Sequence, residues 1–196
     1  NAMVIGEAPR SIASKRLLIE NMATLAEQDV KILYIQHLFT DLHMYKLEKY
    51  RKLGARSKAG SSDLKFWLES LNNGALQNRS KEYDYYHLIK MAHRHGIEVR
   101  PLSSSISYAH INNPVTPLAG DVASDQKMSN FFSHILIGAD VAGHPERRWV
   151  ALREQKLANT SQQVPGIAGL HGPISTRVPD VAQGRPTLIS RDIEAT

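Results

Sequence analysis

The feature that most constrains the fold is an alternation of short apolar runs with longer segments of helical period. Five runs predict strands, at residues 4–6, 30–35, 97–101, 148–152 and 174–178. Apolar residues at helical spacing predict helices at residues 11–28, 42–52, 62–71, 81–95 and 119–137, with a helical turn at 167–170. Strands separated by helices are typical of a parallel sheet that is covered on both faces. We therefore expect a three-layer α/β/α domain with a mainly parallel central sheet of about five strands.

Local signals set the limits and the orientation of some of these helices. Ser11 is a candidate N-cap for the first helix, and Gly96 is a candidate C-cap for the helix that ends near residue 95. The helical period of the longest segment places five residues on an apolar side: Met128, Phe131, Phe132, Ile135 and Leu136.

Composition excludes several classes of chemistry. The chain of 196 residues has no cysteine, which excludes disulfides, thiol catalysis, iron–sulfur clusters and thiolate zinc sites, and is consistent with the cytosol. No apolar run reaches the roughly 18 residues of a transmembrane span. A net charge of +5 is low for a dedicated nucleic-acid binder, and the aromatic residues are not interleaved with Arg or Lys on one element. We also find no glycine-rich phosphate-binding loop.

The ends of the chain differ from its centre. Residues 1–3 are typical of a cleaved purification tag followed by the start of the expressed segment, and residue 4 already lies in a predicted core strand. We therefore expect a fragment of a larger protein. Residues 4–180 are predicted to form a single α/β domain, and residues 181–196 a loosely ordered tail.

The positive charge is partly local. Between residues 46 and 58 a single acid, Glu48, accompanies six basic residues: Lys46, Lys49, Arg51, Lys52, Arg56 and Lys58. The segment is either a solvated helix face that runs into a loop or a contact for an anionic surface such as phospholipid headgroups.

Polar residues follow the predicted strands, where parallel α/β sheets bind their ligands. Five segments, in this order, carry a family resemblance: VIGEA…SIASKRLLIENM, LYIQHLFTDLHMYKLEKY, AHRHGIEVRPL, QKMSNFF and RWVAL…NT…VPGIAGLHGPISTRV. From about residue 4 to 180 the chain resembles the superfamily that groups erythromycin esterases, the haem-binding lipoprotein ChaN and the Wnt-inactivating TIKI proteases. It is most similar to the branch found inside large bacterial toxins and effectors, of the dermonecrotic-toxin type.

The resemblance implies a hydrolase site that this sequence has lost. In the family the first motif reads Gly-Glu-x-His, the second has a Glu before His-Leu, and the fourth strand leads to Gly-x-x-His. These groups are proposed to hold a divalent metal or to activate a water. Here the corresponding positions hold Pro9, Gln36 and Leu157, and Glu154 replaces the last glycine. Proline and leucine offer no ligand, and glutamine takes no proton near neutral pH.

The leading functional expectation is therefore a catalytically degenerate, hydrolase-like domain without a cofactor. The resemblance implies that it is translocated from a bacterium into a host cell, as part of a toxin or effector. There it would act as a binding or scaffolding module, for a host protein or a small ligand in the cleft at the strand ends.

The alternative is an active hydrolase, metal-dependent or metal-free, with a site shifted onto Glu7, Gln36, His37, His43 and Asn159. A divalent transition metal would be its cofactor. None of the nine histidines has a partner at the spacing of three or four that helical metal sites use, so metal binding is the less favoured interpretation.

Two simpler arrangements use the same residues. Glu7 can pair with Arg10 or Arg153 as a structural ion pair. A Ser–His–Asp triad is formally available from Asp41, His43 and residues 103–105, although no Gly-x-Ser-x-Gly elbow supports it.

Overall fold

Five parallel strands form one sheet in the computed structural model of the chain, which describes residues 2–8, 11–54, 58–73, 80–107, 122–160, 163–172 and 174–177. The strands are β1 Ala2–Glu7, β2 Val30–Phe39, β3 Glu98–Ser103, β4 Arg148–Glu154 and β5 Ile174–Arg177. Their order in the sheet is β3-β2-β4-β1-β5. The helices are α1 Ala13–Glu20, α2 Met22–Glu27, α3 Thr40–Leu53, α4 Lys58–Asn73, α5 Tyr85–Arg94, α6 Val122–Ala142, α7 Gln155–Ala158 and α8 Ile167–His171.

The sheet is apolar on both faces because successive side chains of each strand point to opposite sides. Ile5, Leu33 and Val150 pack with α1 to α5 on one face. Val4 and Ile32 pack with α6 and α8 on the other face. The predicted three-layer α/β/α architecture is confirmed.

β2 is longer than its predicted range. It runs to Phe39, whereas the sequence pattern ends it at residue 35, and every residue from Ile32 to Phe39 is buried. Its register against β3 shifts between Ile35 and Phe39. Gln36 and His37 therefore lie inside a buried strand, although polar residues at this point indicate a strand end.

The predicted apolar side of α6 is wrong for most of its members. Met128, Phe131 and Ile135 are 51%, 63% and 51% exposed, and Phe132 and Leu136 are half-buried. The buried face instead carries Gln126, Ser129, Asn130, Ser133 and Ile137. The physical reason is that this face covers polar groups of the sheet: Ser133 Oγ donates to the Leu102 carbonyl at 2.9 Å, and Ser129 Oγ accepts from Arg153 at 3.2 Å.

Side chains and glycine set the ends of two helices. α1 begins at Ala13 with Ile12 at the N-cap position, and Ser11 Oγ accepts the Ala13 N–H at 3.1 Å. α5 begins later than predicted because Asp84 caps it, its Oδ1 accepting the His87 N–H at 2.7 Å. After the C-cap His95, Gly96 has φ +71°, the left-handed conformation expected of a glycine that ends a helix.

Two predictions concern the ends of the chain. Ala2 and Met3 belong to β1, where they align with Trp149 and Val150 of β4, although the sequence pattern assigns Ala2 to a tag remnant and Met3 to the start of the expressed segment. The predicted tail, residues 181–196, lies outside the described residues. Among the described helices, none is both long enough and apolar enough to cross a membrane.

Candidate functional site

A buried carboxylate stands at the carboxyl end of β1. Glu7 is the last residue of the strand and is 5% exposed. One of its oxygens accepts from the Lys15 ammonium and the other from the Tyr85 hydroxyl. Lys15 also donates to the Ser11 carbonyl at 2.7 Å. The negative charge of Glu7 is therefore held beside a buried positive charge, and both carboxylate oxygens are engaged.

His37 completes this group of side chains. Its Nε2 lies 3.7 Å from Oε2 of Glu7, and its ring meets the Tyr85 ring edge-on with centroids 5.5 Å apart. Burial lowers the pKa of His37, Lys15 and Arg153 lower it further, and Glu7 and Glu154 act in the opposite direction. The imidazole is therefore neutral at pH 7. We call Glu7, Lys15, His37 and Tyr85 the Glu7 cluster.

The Glu7 cluster has the groups for proton transfer but little access to solvent. A neutral imidazole near a carboxylate is an arrangement that can accept a proton from a substrate or a water. In this chain all four side chains are buried. A metal site is less compatible with the geometry, because no group of three or more potential ligands (His, Asp or Glu) is arranged around a common point among the described residues.

Gln36 has a structural contact at the position where the family that the sequence resembles has a carboxylate. Its Oε1 accepts the Glu154 N–H at 2.8 Å and so joins the ends of β2 and β4. Leu157 is fully buried in α7, and Asn159 follows this helix as a half-buried residue. Pro9 lies outside the described residues.

His43 is separate from the Glu7 cluster. It lies in the first turn of α3, where its Nδ1 accepts the Phe39 N–H at 2.8 Å. Its ring stacks on Trp67 with centroids 4.5 Å apart. Burial lowers the pKa of His43 to about 4, with a further contribution from Lys46 and an opposing one from Asp41. These contacts make His43 a cap for the β2–α3 junction, and no contact in the described part of the chain joins it to Glu7.

The candidate triad is not assembled in the described residues. The carboxylate of Asp41 accepts both the N–H and the hydroxyl of Ser105. Ser104 pairs with Ser107, with the two hydroxyl oxygens 3.1 Å apart. The hydroxyl that would act as nucleophile is thus bound directly to the carboxylate, without an imidazole between them.

The sequence does not identify Lys15 and Tyr85 as site residues. Lys15 lies within one of the motifs that carry the resemblance, but Tyr85 lies 78 residues from Glu7 and belongs to none of them. Of the two partners that the sequence offers Glu7, Arg153 does not pair with it, since Arg153 contacts α6 on the opposite face of the sheet. Arg10 lies outside the described residues.

The basic segment is only partly free to contact a surface. Lys49 is paired with Asp63 at 3.2 Å, and Lys46 is half-buried. Arg51 and Lys52 are exposed in the last turn of α3. Arg56 and the side chain of Lys58 are outside the described part of the structure.

Comparison with known proteins relates this fold to bacterial toxins. No family model and no curated protein matches the sequence. The RRSP effector domain of the MARTX toxin from Vibrio vulnificus CMCP6 superposes with a TM-score of 0.64 at 18% identity, over 98% of this chain and 35% of that one. The type III effector HopBA1 gives a TM-score of 0.63 at 15% identity, over 92% of this chain and 82% of that one. The chain has the fold of these effector proteins.

A third similar structure is the C-terminal region of Pasteurella multocida toxin, with a TM-score of 0.64 at 16% identity, over 100% of this chain and 26% of that one. The chain thus spans about a third of the solved MARTX domain and about a quarter of the solved Pasteurella structure. The Pasteurella structure is described as having a thiol-protease-like catalytic triad. This chain has no cysteine and cannot supply such a thiol.

Proposed function

We propose that the chain is a catalytically silent binding module of a bacterial toxin or effector, and that it acts inside a host cell after translocation. The fold that it shares with toxin and effector domains supports the setting. The resemblance supports the loss of chemistry, since Pro9, Gln36 and Leu157 stand at the family's functional positions. Its binding partner would be a host protein or a small ligand at the carboxyl edge of the sheet.

One observation carries this proposal: both oxygens of the buried Glu7 carboxylate already accept hydrogen bonds from within the protein. Lys15 and Tyr85 each bind one of its oxygens, and the whole group is buried. A general base needs a free lone pair that reaches the substrate proton. Glu7 instead compensates the charge of Lys15, which would otherwise be buried and unpaired.

A second candidate function is a hydrolase, because the neutral imidazole of His37 lies 3.7 Å from Glu7. In this interpretation His37 is the general base and Glu7 stabilises the imidazolium that forms. A transition metal held by His37 would be a variant of the same site. Entry of substrate would require the cluster to open.

A pair of substitutions distinguishes the two functions. We expect His37→Gln to match the wild type in its effect on the viability of transfected eukaryotic cells and in any turnover of p-nitrophenyl acetate and butyrate. The exposed His144 is the matched control, as His144→Gln. Loss of either activity in His37→Gln but not in His144→Gln would support the hydrolase.

Glu7→Gln tests the structural role of the carboxylate. It leaves Lys15 buried without a counter-ion, and we expect it to lower the free energy of unfolding by about 3–5 kcal/mol in urea titrations. The control is Glu20→Gln, which removes an exposed ion pair with Arg16 and should cost about 0.5 kcal/mol or less. An unchanged stability of Glu7→Gln would show that the cluster is not a structural ion pair.

Metal analysis of the tag-free protein completes the test. A stoichiometric transition metal, retained after dialysis and lost in His37→Gln, would support the metal-dependent hydrolase. We expect only trace metal, also after soaking in zinc or manganese, because both oxygens of Glu7 already have partners.

A further inference from the structure

A buried arginine lies on the other face of the sheet from the Glu7 cluster. Arg153 is the penultimate residue of β4 and is 0% exposed. Its Nη2 donates to Ser129 Oγ of α6 at 3.2 Å. Nε and Nη1 have no hydrogen-bond acceptor in the described part of the chain. A guanidinium has five N–H donors and no acceptor, so most of its hydrogen-bonding capacity is unused here.

Gln36 supplies another unused donor on the neighbouring strand. Ile35 and His37, on either side of it, contact the face that α1 to α5 cover. Gln36 therefore points to the α6 face, as Arg153 does. Its Oε1 accepts the Glu154 N–H, while its Nε2 has no partner among the described residues. Arg153 and Gln36 together hold three buried nitrogen atoms whose N–H groups have no acceptor among the described residues.

The positive charge of Arg153 also lacks a partner in the described part of the chain. No carboxylate of the described residues forms an ion pair with it, although Glu154 is the next residue and pairs with Lys156 at 3.0 Å. Burial lowers the pKa of Arg153 to about 9, against a smaller opposing effect of Glu154. A buried cation without a counter-ion is strongly destabilising, so an anion at this position would relieve a large desolvation cost.

We propose that Arg153 and Gln36 form a buried anion site that takes a single carboxylate group. One cation favours a monoanion over a phosphate dianion. Guanidinium and amide donors match carboxylate oxygens, and charge-assisted hydrogen bonds to them are about twice as strong as neutral ones.

The carboxylate has two possible sources, a small free acid or the carboxylate of a larger ligand. The site is independent of whether the Glu7 cluster is catalytic, because the two groups lie on opposite faces of the sheet. In the binding module proposed above, this site would give a preference for ligands that carry a carboxylate.

Binding of ¹³C-formate tests the site directly. We expect the wild type to broaden the formate resonance saturably, and to show an unfolding midpoint that rises with formate at constant ionic strength. Arg153→Met should weaken formate binding by about tenfold to a hundredfold, since it removes a charge-assisted bond. The matched control is Arg148→Met, on the same strand but exposed, which should bind as the wild type does.

Two further probes separate the sources. Competition by N-acetylglycine but not by N-acetylglycinamide would show that a carboxylate on a larger ligand enters the site. Competition by acetate alone would restrict the site to small acids. Either result supports a carboxylate site.

If formate binds to the wild type and to Arg153→Met equally well, the proposal is overturned. Arg153 would then not hold the formate, and water would satisfy its guanidinium group. If Arg153→Met does not fold, Gln36→Leu provides the same test, with weakened formate binding expected. The experiment leaves Glu7 and His37 unchanged, so its failure would not bear on the proposed loss of catalysis.

Discussion

His43 shows how a residue suited to catalysis can serve the backbone instead. Its Nδ1 accepts the Phe39 N–H, which requires the ring to be unprotonated at that nitrogen. Stacking on Trp67 and burial exclude the water that a proton on the ring would need. Protonation of His43 therefore opposes the fold at the junction of β2 and α3.

This coupling predicts a loss of stability in acid. Burial holds the pKa of folded His43 at about 4, against 6.5 for an ordinary histidine. The unfolded chain then binds more protons than the folded chain between these values. We expect the contribution of neutral His43 to the free energy of unfolding to be complete above pH 6.5. This contribution should fall by about 1–3 kcal/mol as the pH falls to 4.

Urea titrations at several pH values measure this effect. In His43→Asn the amide oxygen can still accept the Phe39 N–H but does not titrate, so the loss between pH 6.5 and 4 should be smaller than in the wild type. His144→Asn serves as the surface control. Parallel pH profiles for the wild type and His43→Asn would contradict the assigned role.

At the same scale, the sequence singles out candidate site residues but does not predict the contacts that the structure gives them. Glu7, Gln36 and His37 are recognisable because they follow a strand pattern and a family motif. Lys15 and Tyr85 are not, because the contact that brings each of them to Glu7 is tertiary. Periodicity within one element carries no information about which side chains meet across two elements.

At the scale of elements, α6 is the clearest departure from a pattern. Hydrophobic periodicity predicts a helix here, and the helix is present. The pattern fails for orientation because the sheet offers α6 polar groups, the Leu102 carbonyl and the Arg153 guanidinium, to which serines can form hydrogen bonds and leucines cannot. α6 also places His134 against His171 of α8, with Nδ1 and Nε2 2.9 Å apart, a pair that spacing along the sequence does not indicate.

The orientation of α6 predicts that two apolar truncations on this helix change the free energy of unfolding by very different amounts. Ile137 is 0% exposed, and Ile137→Ala should lower the free energy of unfolding by about 2–4 kcal/mol. Phe131 is 63% exposed, and Phe131→Ala should change it by about 0.5 kcal/mol or less. Chemical denaturation of both variants measures the difference. A large loss in Phe131→Ala and a small one in Ile137→Ala would mean that the helix is rotated relative to this structure.

At the scale of the whole molecule, the architecture is the most predictable property. At least one helical segment separates each pair of successive strands, and a parallel sheet with helices on both faces is the arrangement that buries all of them. The ends of elements are less predictable where polar residues are buried, as β2 shows at Gln36 and His37. Buried polar residues of this kind also form the candidate sites, because a polar residue inside a core needs a specific partner.

The distribution of charge over the molecule bears on the contact with anionic lipid that the sequence suggests. Of the basic segment, only Arg51 and Lys52 have exposed, described side chains without a carboxylate partner in the described residues, since Lys49 is bound to Asp63. At about 1 kcal/mol for each basic residue near an anionic membrane, two such residues supply about 2 kcal/mol. This corresponds to an affinity weaker than millimolar.

We therefore expect weak cosedimentation with phosphatidylserine vesicles at an ionic strength of about 0.01 M and none at about 0.15 M. The reason is that the Debye length falls from roughly 30 Å at the lower ionic strength to roughly 8 Å at the higher one. The double variant Arg51→Gln, Lys52→Gln should abolish the signal at low salt. A control with Lys31→Gln and Lys65→Gln removes the same net charge from other exposed positions, so equal loss in both variants would indicate a net-charge effect without a local surface. Strong binding that persists at the higher ionic strength would require an apolar anchor, and the exposed Phe131 and Met128 of α6 would then be the first residues to replace.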